Sequence, residues 1–272
     1  MSKRELNETR EAARLALLAP DEPSPIRIVN AGGSSPVLLV CDHASRFVPR
    51  ALGGTLGLDE ADMSRHIAYD IGIAAVSEEL SRRLDAPLIL SSFSRLVIDP
   101  NRTPGIASSI PGESDGIAIP RNLEMAEGEA AAREATFFRP YHAAIARLIE
   151  AKIAAGEEPA FVSMHSFTPM FGGAQRPWQV GILWNQDPRL PVPLMQAYRA
   201  RGLTVGDNEP YTGRDYHGYT IHSHAEPRGL VNALIELRQD LIDTQSGALE
   251  MAELTEAALR EAFAAAGVAA AA

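Results

Sequence analysis

Apolar positions along the chain follow two rhythms. Short, uninterrupted runs rich in Val, Ile and Leu cover residues 37–40, 87–90, 96–98, 160–164, 180–184 and 234–237. Runs of that length without alternation suit strands buried on both faces of a sheet. Between them lie longer stretches with helical periodicity: "ADMSRHIAYDIGIAAVSEELSRRL" from Ala61, "EMAEGEAAAREATFFRPYHAAIARLIEAKIAAG" from Glu124 and "PRLPVPLMQAYRARG" from Pro188. Together they predict an α/β sheet sandwiched between helical layers. Pro and Gly punctuate long loops around residues 99–122, 168–178 and 206–229, and long ordered loops in a compact domain are usually functional.

Residues 1–25 read as a peripheral helix followed by a Pro-rich joint, "APDEPSP", ahead of one main domain over residues 26–272. The terminal "AFAAAGVAAAA" reads as helix-prone sequence that frays.

The 272 residues are 46% hydrophobic and 22% charged, enough for a sizeable core, and the formal net charge is −10. With no basic stripe to offset the acid, a nucleic-acid partner is not expected. A lone cysteine, Cys41, excludes a disulfide framework and, inside an apolar run, reads as a small buried hydrophobe. No stretch approaches the ~20 apolar residues of a membrane span. Glu5, Glu8 and Glu11 stand where a signal peptide carries positive charge, so a cytoplasmic protein is expected.

Two apolar runs end alike: "VLLVCDHAS" runs into His43 and "PAFVSMHSF" into His165. Ligands of open α/β sheets bind outside the carboxyl ends of strands, so parallel strands would present both imidazoles at one edge. Imidazole pairs suit Zn²⁺, which in catalytic sites takes three protein ligands. Asp70, in "RHIAYDIG", is an acid among Ile67, Ile71 and Ile73, costly to bury unless paired or metal-bound. It is the candidate third ligand, with Asp42 and His66 in reserve; pairing with His66 is its alternative. Asp42 adjoins His43, and neighbouring strand residues point to opposite faces.

In "NALIELRQDLI", Glu236 sits among Leu234, Ile235 and Leu237. It could be a general base with a raised pKa, or an internal ion pair with Arg238. In "FSRLVIDPNRTPG", Arg95 and Arg102 bracket an apolar run; Arg102, after Asn101, could bind a carboxylate bidentately.

The order strand–His43, "DPNR", "HSF" at His165 and "IELRQDL" at Glu236 resembles the N-formylglutamate amidohydrolase family, from about Val37 to Ile242, including "PYHAAI" at His142 and "RPWQVGIL" around Trp178. The resemblance implies a zinc carboxypeptidase-like fold: a single-domain three-layer α/β/α arrangement with a central mixed, mostly parallel sheet. It implies a hydrolase cleaving the amide of a small N-acyl amino acid such as N-formylglutamate, with one Zn²⁺ per chain or another divalent metal. Its implied ligands are His43, His165 and Asp70. Glu236 would be the base, with Arg95 beside the developing oxyanion. Asn101, Arg102, His142 and Arg238 would bind substrate. Carboxypeptidase relatives carry a Glu three residues after the first His; here that residue is Arg46, so the acidic ligand must come from elsewhere. The segment "DYHGYTIHSHAEPRG" also differs from histidine-pathway deformylases. Within it, His222 reads as a substrate-contacting or lid residue, with a metal role for the His222–His224 pair as the alternative, and Tyr216 and Tyr219 would help to close the lid. Two rival classes stay open: a metal-dependent amidase or peptidase on a larger peptide or cell-wall substrate, and a silent binding protein of the same fold.

Overall fold

Every residue of the strand Val37–Cys41 is buried, because each face of the sheet carries its own layer. A computed structural model describes residues 17–214 and 218–268. Seven strands form the main sheet: β1 (Ile26–Val29), β2 (Val37–Cys41), β3 (Leu88–Ser91), β4 (Ala160–Phe167), β5 (Val180–Leu183), β6 (Val205–Asp207) and β7 (Asn232–Arg238). Their order is β1-β3-β2-β4-β7-β5-β6. The central strands β3, β2, β4 and β7 run parallel, as do β5 and β6, whereas β1 opposes β3 and β5 opposes β7. The sheet is therefore mixed and mostly parallel.

The longer helices that flank it among the described residues are α1 (Ile73–Leu84), α2 (Arg139–Ala154), α3 (Pro191–Ala200), α4 (Tyr219–His224) and α5 (Gln245–Ala266). Strand alternation deals residues to two cores. Val37, Leu39 and Cys41 of β2 join Val162, Met164, Ile235 and Leu237 under α1, α3 and α5. Leu38 and Val40 face the other way, towards Tyr141, Ile145 and Ile149 of α2. Helices on both faces complete the three-layer α/β/α fold. α5 buries Ala248, Met251, Ala252, Thr255, Ala258, Leu259, Ala262 and Phe263, a stripe at helical spacing. The Thr244 side chain caps its N-terminus and left-handed Gly267 ends it.

Several local expectations change. Leu96, Val97 and Ile98 are buried but form a turn and loop rather than a strand. They pack with Phe93 and Phe137 in a third apolar cluster, and a three-residue apolar run cannot tell strand from buried loop. The helix read from Ala61 to Leu84 is broken: a single turn at Glu60–Met63 is followed by non-helical chain up to α1. Gly72 makes the break, at φ 80, where a Cβ would lie 2.1 Å from the Ile242 carbonyl oxygen. Edge strands β1 (IRIV) and β6 (VGD) carry no continuous apolar run, so the apolar rhythm of the chain does not mark them. In the expected fraying tail, Ala262 and Phe263 are core residues, while residues 269–272 lie outside the described residues. The expected N-terminal helix falls mainly on residues 1–16, also outside them; residues 17–25 form no helix. Cys41 is a buried thiol whose pKa burial raises, as its apolar run implied.

Candidate active site

The face of the sheet opposite α1 and α5 turns polar at its carboxyl end. On β4, Ser163 and His165 follow Phe161 on that face; on β7, Glu236 follows Leu234. Glu236 and His165 are register partners on adjacent parallel strands, and Val40 pairs with Ser163. His43 emerges two residues beyond β2. The backbone N–H of Asp70 donates to the His43 carbonyl at 3.0 Å, tying the broken-helix segment to that strand end.

Three side chains converge there. Asp70 Oδ1 lies 3.4 Å from His43 Nδ1, and Asp70 Oδ2 lies 3.1 Å from His165 Nδ1. The Ser166 N–H donates to Oδ2 at 3.0 Å. Each imidazole is fixed from behind by a second acid: His43 Nε2 stands 2.7 Å from Asp99 Oδ1, and His165 Nε2 stands 2.9 Å from Asp42 Oδ2. Both Nδ1 atoms therefore turn towards Asp70. Asp42 in turn accepts from Tyr141 Oη at 2.8 Å and Thr220 Oγ1 at 2.9 Å.

These residues fit a divalent cation. The candidate ligand atoms of His43, Asp70 and His165 lie within 4.8 Å of one another and all three residues are buried. Ligands about 2.1 Å from a tetrahedral ion stand about 3.4 Å apart, close to the contacts above. His43 Nδ1 is buried with no hydrogen-bond partner among the described residues, as a ligand atom without its ion would be. Acids behind ligating imidazoles set their tautomer and raise their basicity.

Electrostatics agree. Burial works against the Asp70 charge, but His43 and His165 hold its carboxyl well below the usual range. Burial likewise opposes charge on His165, yet Asp42 and Asp70 push its pKa up to about 10. Asp99 is buried too, and Arg95 and His43 keep it ionised.

Glu236 behaves oppositely. It is 6% exposed, its Oε2 accepts no hydrogen bond among the described residues, and burial pushes its pKa up to about 7. Across the sheet it pairs with Gly181. A Cβ there would lie 2.2 Å from the Glu209 carbonyl oxygen, so glycine lets the 208–213 loop close beside Glu236.

A cavity of about 720 Å³ opens over these groups. Of the sequence candidates it gathers His43, Asp70, His165, Glu236, Arg95, Asn101, Arg102, His222 and the reserve His66 along its lining. His66 faces Asp115 at 3.6 Å, so it is not the partner of Asp70. Asp42 is fully buried behind His165, not on the cavity wall. Arg95 donates through Nε and Nη2 to Asp99 and through Nη1 to Asp70. Asn101 accepts the Thr220 N–H on Oδ1, anchoring α4, and the Arg102 Nη1 donates to the Asn101 carbonyl.

Two expected substrate contacts are corrected. Arg238 shares a face with Glu236 but turns its guanidinium to Asp240 at 2.7 Å and to the Trp178 carbonyl at 3.2 Å. It neither lines the cavity nor pairs with Glu236. His142 is buried behind the loop: its Nε2 donates to the Pro100 carbonyl at 2.9 Å, and its Nδ1 faces His224 Nε2 at 2.9 Å. The "HSH" pair thus separates: His224 stacks on His142, whereas His222 lines the cavity beside Glu226. Tyr219 packs on Phe138 and His142 rather than over the cavity mouth, and Tyr216 lies outside the described residues. Asp99, the acid that holds both His43 and Arg95, received no role from the sequence, although it ends an apolar run as His43 and His165 do.

A family model of N-formylglutamate amidohydrolases matches residues 35–243, spanning every residue of this site. This chain belongs to the N-formylglutamate amidohydrolase family. Membership makes it a hydrolase of amide C–N bonds. The crystal structure of a gene product from Agrobacterium tumefaciens is similar at 36% identity and TM-score 0.88, covering 91% of this chain and 98% of that one. An N-formylglutamate amidohydrolase from Ralstonia eutropha shares the fold at 19% identity and TM-score 0.61, over 89% of this chain and 98% of that one. No curated protein matches the chain. Among the described residues of this amidohydrolase, no helix is long and apolar enough to cross a membrane.

Proposed function

We propose that the protein is a divalent-cation-dependent amidohydrolase of the cytoplasm that cleaves N-acyl amino acids bearing a free carboxylate, N-formylglutamate among them. The observation that carries this reading is the His43–Asp70–His165 cluster beside the buried carboxyl of Glu236, whose Oε2 accepts no hydrogen bond among the described residues, in one cavity. Imidazole and carboxylate donors suit zinc, held by His43, Asp70 and His165. A bound cation supplies Lewis acidity to the scissile carbonyl and to water.

The chain's own residues do the rest. Asp99 and Asp42 keep the two imidazoles in the tautomer that offers Nδ1. Glu236, with a pKa near 7, takes a proton from the attacking water and passes it to the leaving nitrogen, a role typically worth ~10²–10⁴-fold. One water is consumed: a C–O bond forms, the C–N bond breaks, and a carboxylate and a free amino acid leave. Arg95, a cation in the cavity wall, faces charge developing on the carbonyl oxygen. Arg102, positioned through Asn101, binds the substrate carboxylate, and His222 contacts substrate at the rim. Such a compound would fit the catabolism of N-blocked amino acids.

The test uses purified, zinc-loaded protein with N-formyl-L-glutamate, assaying formate release and bound metal together. Hydrolysis should disappear with a chelator and return with zinc, and His43→Ala, His165→Ala and Asp70→Asn should each lose both zinc and activity. Full zinc occupancy in any of the three would remove that residue from the ligand set; chelator-resistant hydrolysis would sink the reading.

A further inference from the structure

Beyond Glu236 the cavity floor changes character. Leu234 precedes Glu236 by two residues on the same face of β7, and its cross-strand partner on β5 is Leu183. Both line the cavity. Strand alternation explains the pairing: Val180 and Ile182 of β5 enter the opposite core, leaving Gly181 and Leu183 on the Glu236 face. Gly181 stands opposite Glu236, and Leu183 stands one step further, opposite Leu234. The order across the sheet is then fixed. The Arg95–Arg102 loop follows β3, His43 follows the end of β2, Asp70 precedes α1, His165 lies on β4, the base on β7, and the apolar patch on β7 and β5.

A scissile amide held between the ligand cluster and Glu236 has its amino-acid carboxylate on the Arg102 side. Its acyl group then extends over Leu234 and Leu183. A formyl group carries one carbon and covers little of that wall, although the cavity of about 720 Å³ has room for far more. Apolar wall without an apolar occupant is a cost that a longer acyl chain removes.

We infer that Leu183 and Leu234 form the floor of an acyl subsite, and that the preferred substrates are N-acyl amino acids with an aliphatic acyl chain of several carbons. The inference rests on the proposed amidohydrolase reading and names its substrate class. Hydrolysis of such a compound releases a short fatty acid and the free amino acid, with the same single water consumed.

The experiment is a homologous series on the zinc-loaded protein: N-formyl, N-acetyl, N-butanoyl and N-hexanoyl-L-glutamate. Each added methylene should raise kcat/KM about fourfold until the subsite is full, the equivalent of about 0.8 kcal/mol per buried CH₂. Leu183→Phe, which fills the subsite, should invert the hexanoyl-to-formyl ratio; a ratio within one variant is insensitive to the folded fraction. A series that falls from formyl onwards, or a ratio unmoved by Leu183→Phe, overturns the subsite while leaving the amidohydrolase reading standing. Failure of all four compounds, with zinc bound, overturns both.

Discussion

Asp99 Oδ1 lies 2.7 Å from His43 Nε2 while its other oxygen holds Arg95 at 2.8 Å. One buried carboxylate thus orients a candidate cation ligand and fixes a cation of the cavity wall. Asp99→Asn keeps the shape and removes the charge that selects the His43 tautomer. Outer carboxylates of this kind are worth about 10–100-fold in metal affinity. Zinc affinity measured by chelator competition should fall by that factor, and an unchanged affinity would show that Asp99 serves Arg95 alone.

Glu236→Gln should lower kcat by about two to four orders of magnitude with zinc still bound. The sign of its pH effects follows from burial, which raises the pKa from 4.5 to about 7. Between those values Glu236 is protonated in the folded protein and ionised in the unfolded chain, so its own contribution to stability is lost as pH rises through 7. Neutral Gln lacks that loss, and the variant should melt at a higher temperature than the parent at pH 8 in the metal-free state. Activity runs the other way: the base form is needed, so kcat/KM should rise with pH along a limb at or below about 7, a bound cation pulling the value down. A variant that melts lower yet turns over normally would make Glu236 structural.

Arg102→Ala should cost roughly 10–150-fold in kcat/KM on a substrate with a free carboxylate and little on the corresponding amide. Hydrogen bonds to charged groups contribute ~1.5–3 kcal/mol, at ~1.4 kcal/mol per tenfold. Arg102→Lys should recover part of the loss, since ammonium lacks the planar fork. Equal losses on both substrates would show that Arg102 does not read the carboxylate, and a peptide-like substrate would become the better reading.

His142 and His224 make acid sensitivity a property of the fold. Burial holds their pKa values down at about 4 and about 3, so both are neutral when folded. The unfolded chain takes up those protons near pH 6.5, so stability falls as pH drops from 6.5 towards 4, by up to about 1.4 kcal/mol per pH unit for each imidazole. Urea unfolding at pH 7 and pH 5 measures the slope. His224→Phe should flatten it by about one proton, and an unaltered slope would mean that His224 is charged in the folded state.

The sequence made the central strands legible because each is apolar on both faces, and a polar residue at such a strand's end is conspicuous. His43 and His165 stand out that way and Glu236 as an acid within such a strand, and the structure brings the three together at one end of the sheet. Asp70 was legible as an acid among isoleucines, though its position depends on the break at Gly72, which helical periodicity read straight through. What was illegible depends on contacts between distant segments. Nothing local tells that Asp99 reaches His43, that Arg238 prefers Asp240, or that His224 turns inward while His222, two residues away, faces the cavity. Those choices are made by loops meeting across the sheet.

The shared register of β4 and β7 has a consequence for variants and for synthesis errors. Side chains along a strand alternate faces, so a slip of one residue would exchange Glu236 with Ile235 or Leu237. It would drive a carboxylate into the core under α5 and place an aliphatic side chain beside His165. The same slip that disarms the site thus removes the stability of the sheet. Copies with a misaligned β7 would not accumulate as inactive, well-folded bystanders; they would be exposed to proteases and chaperones.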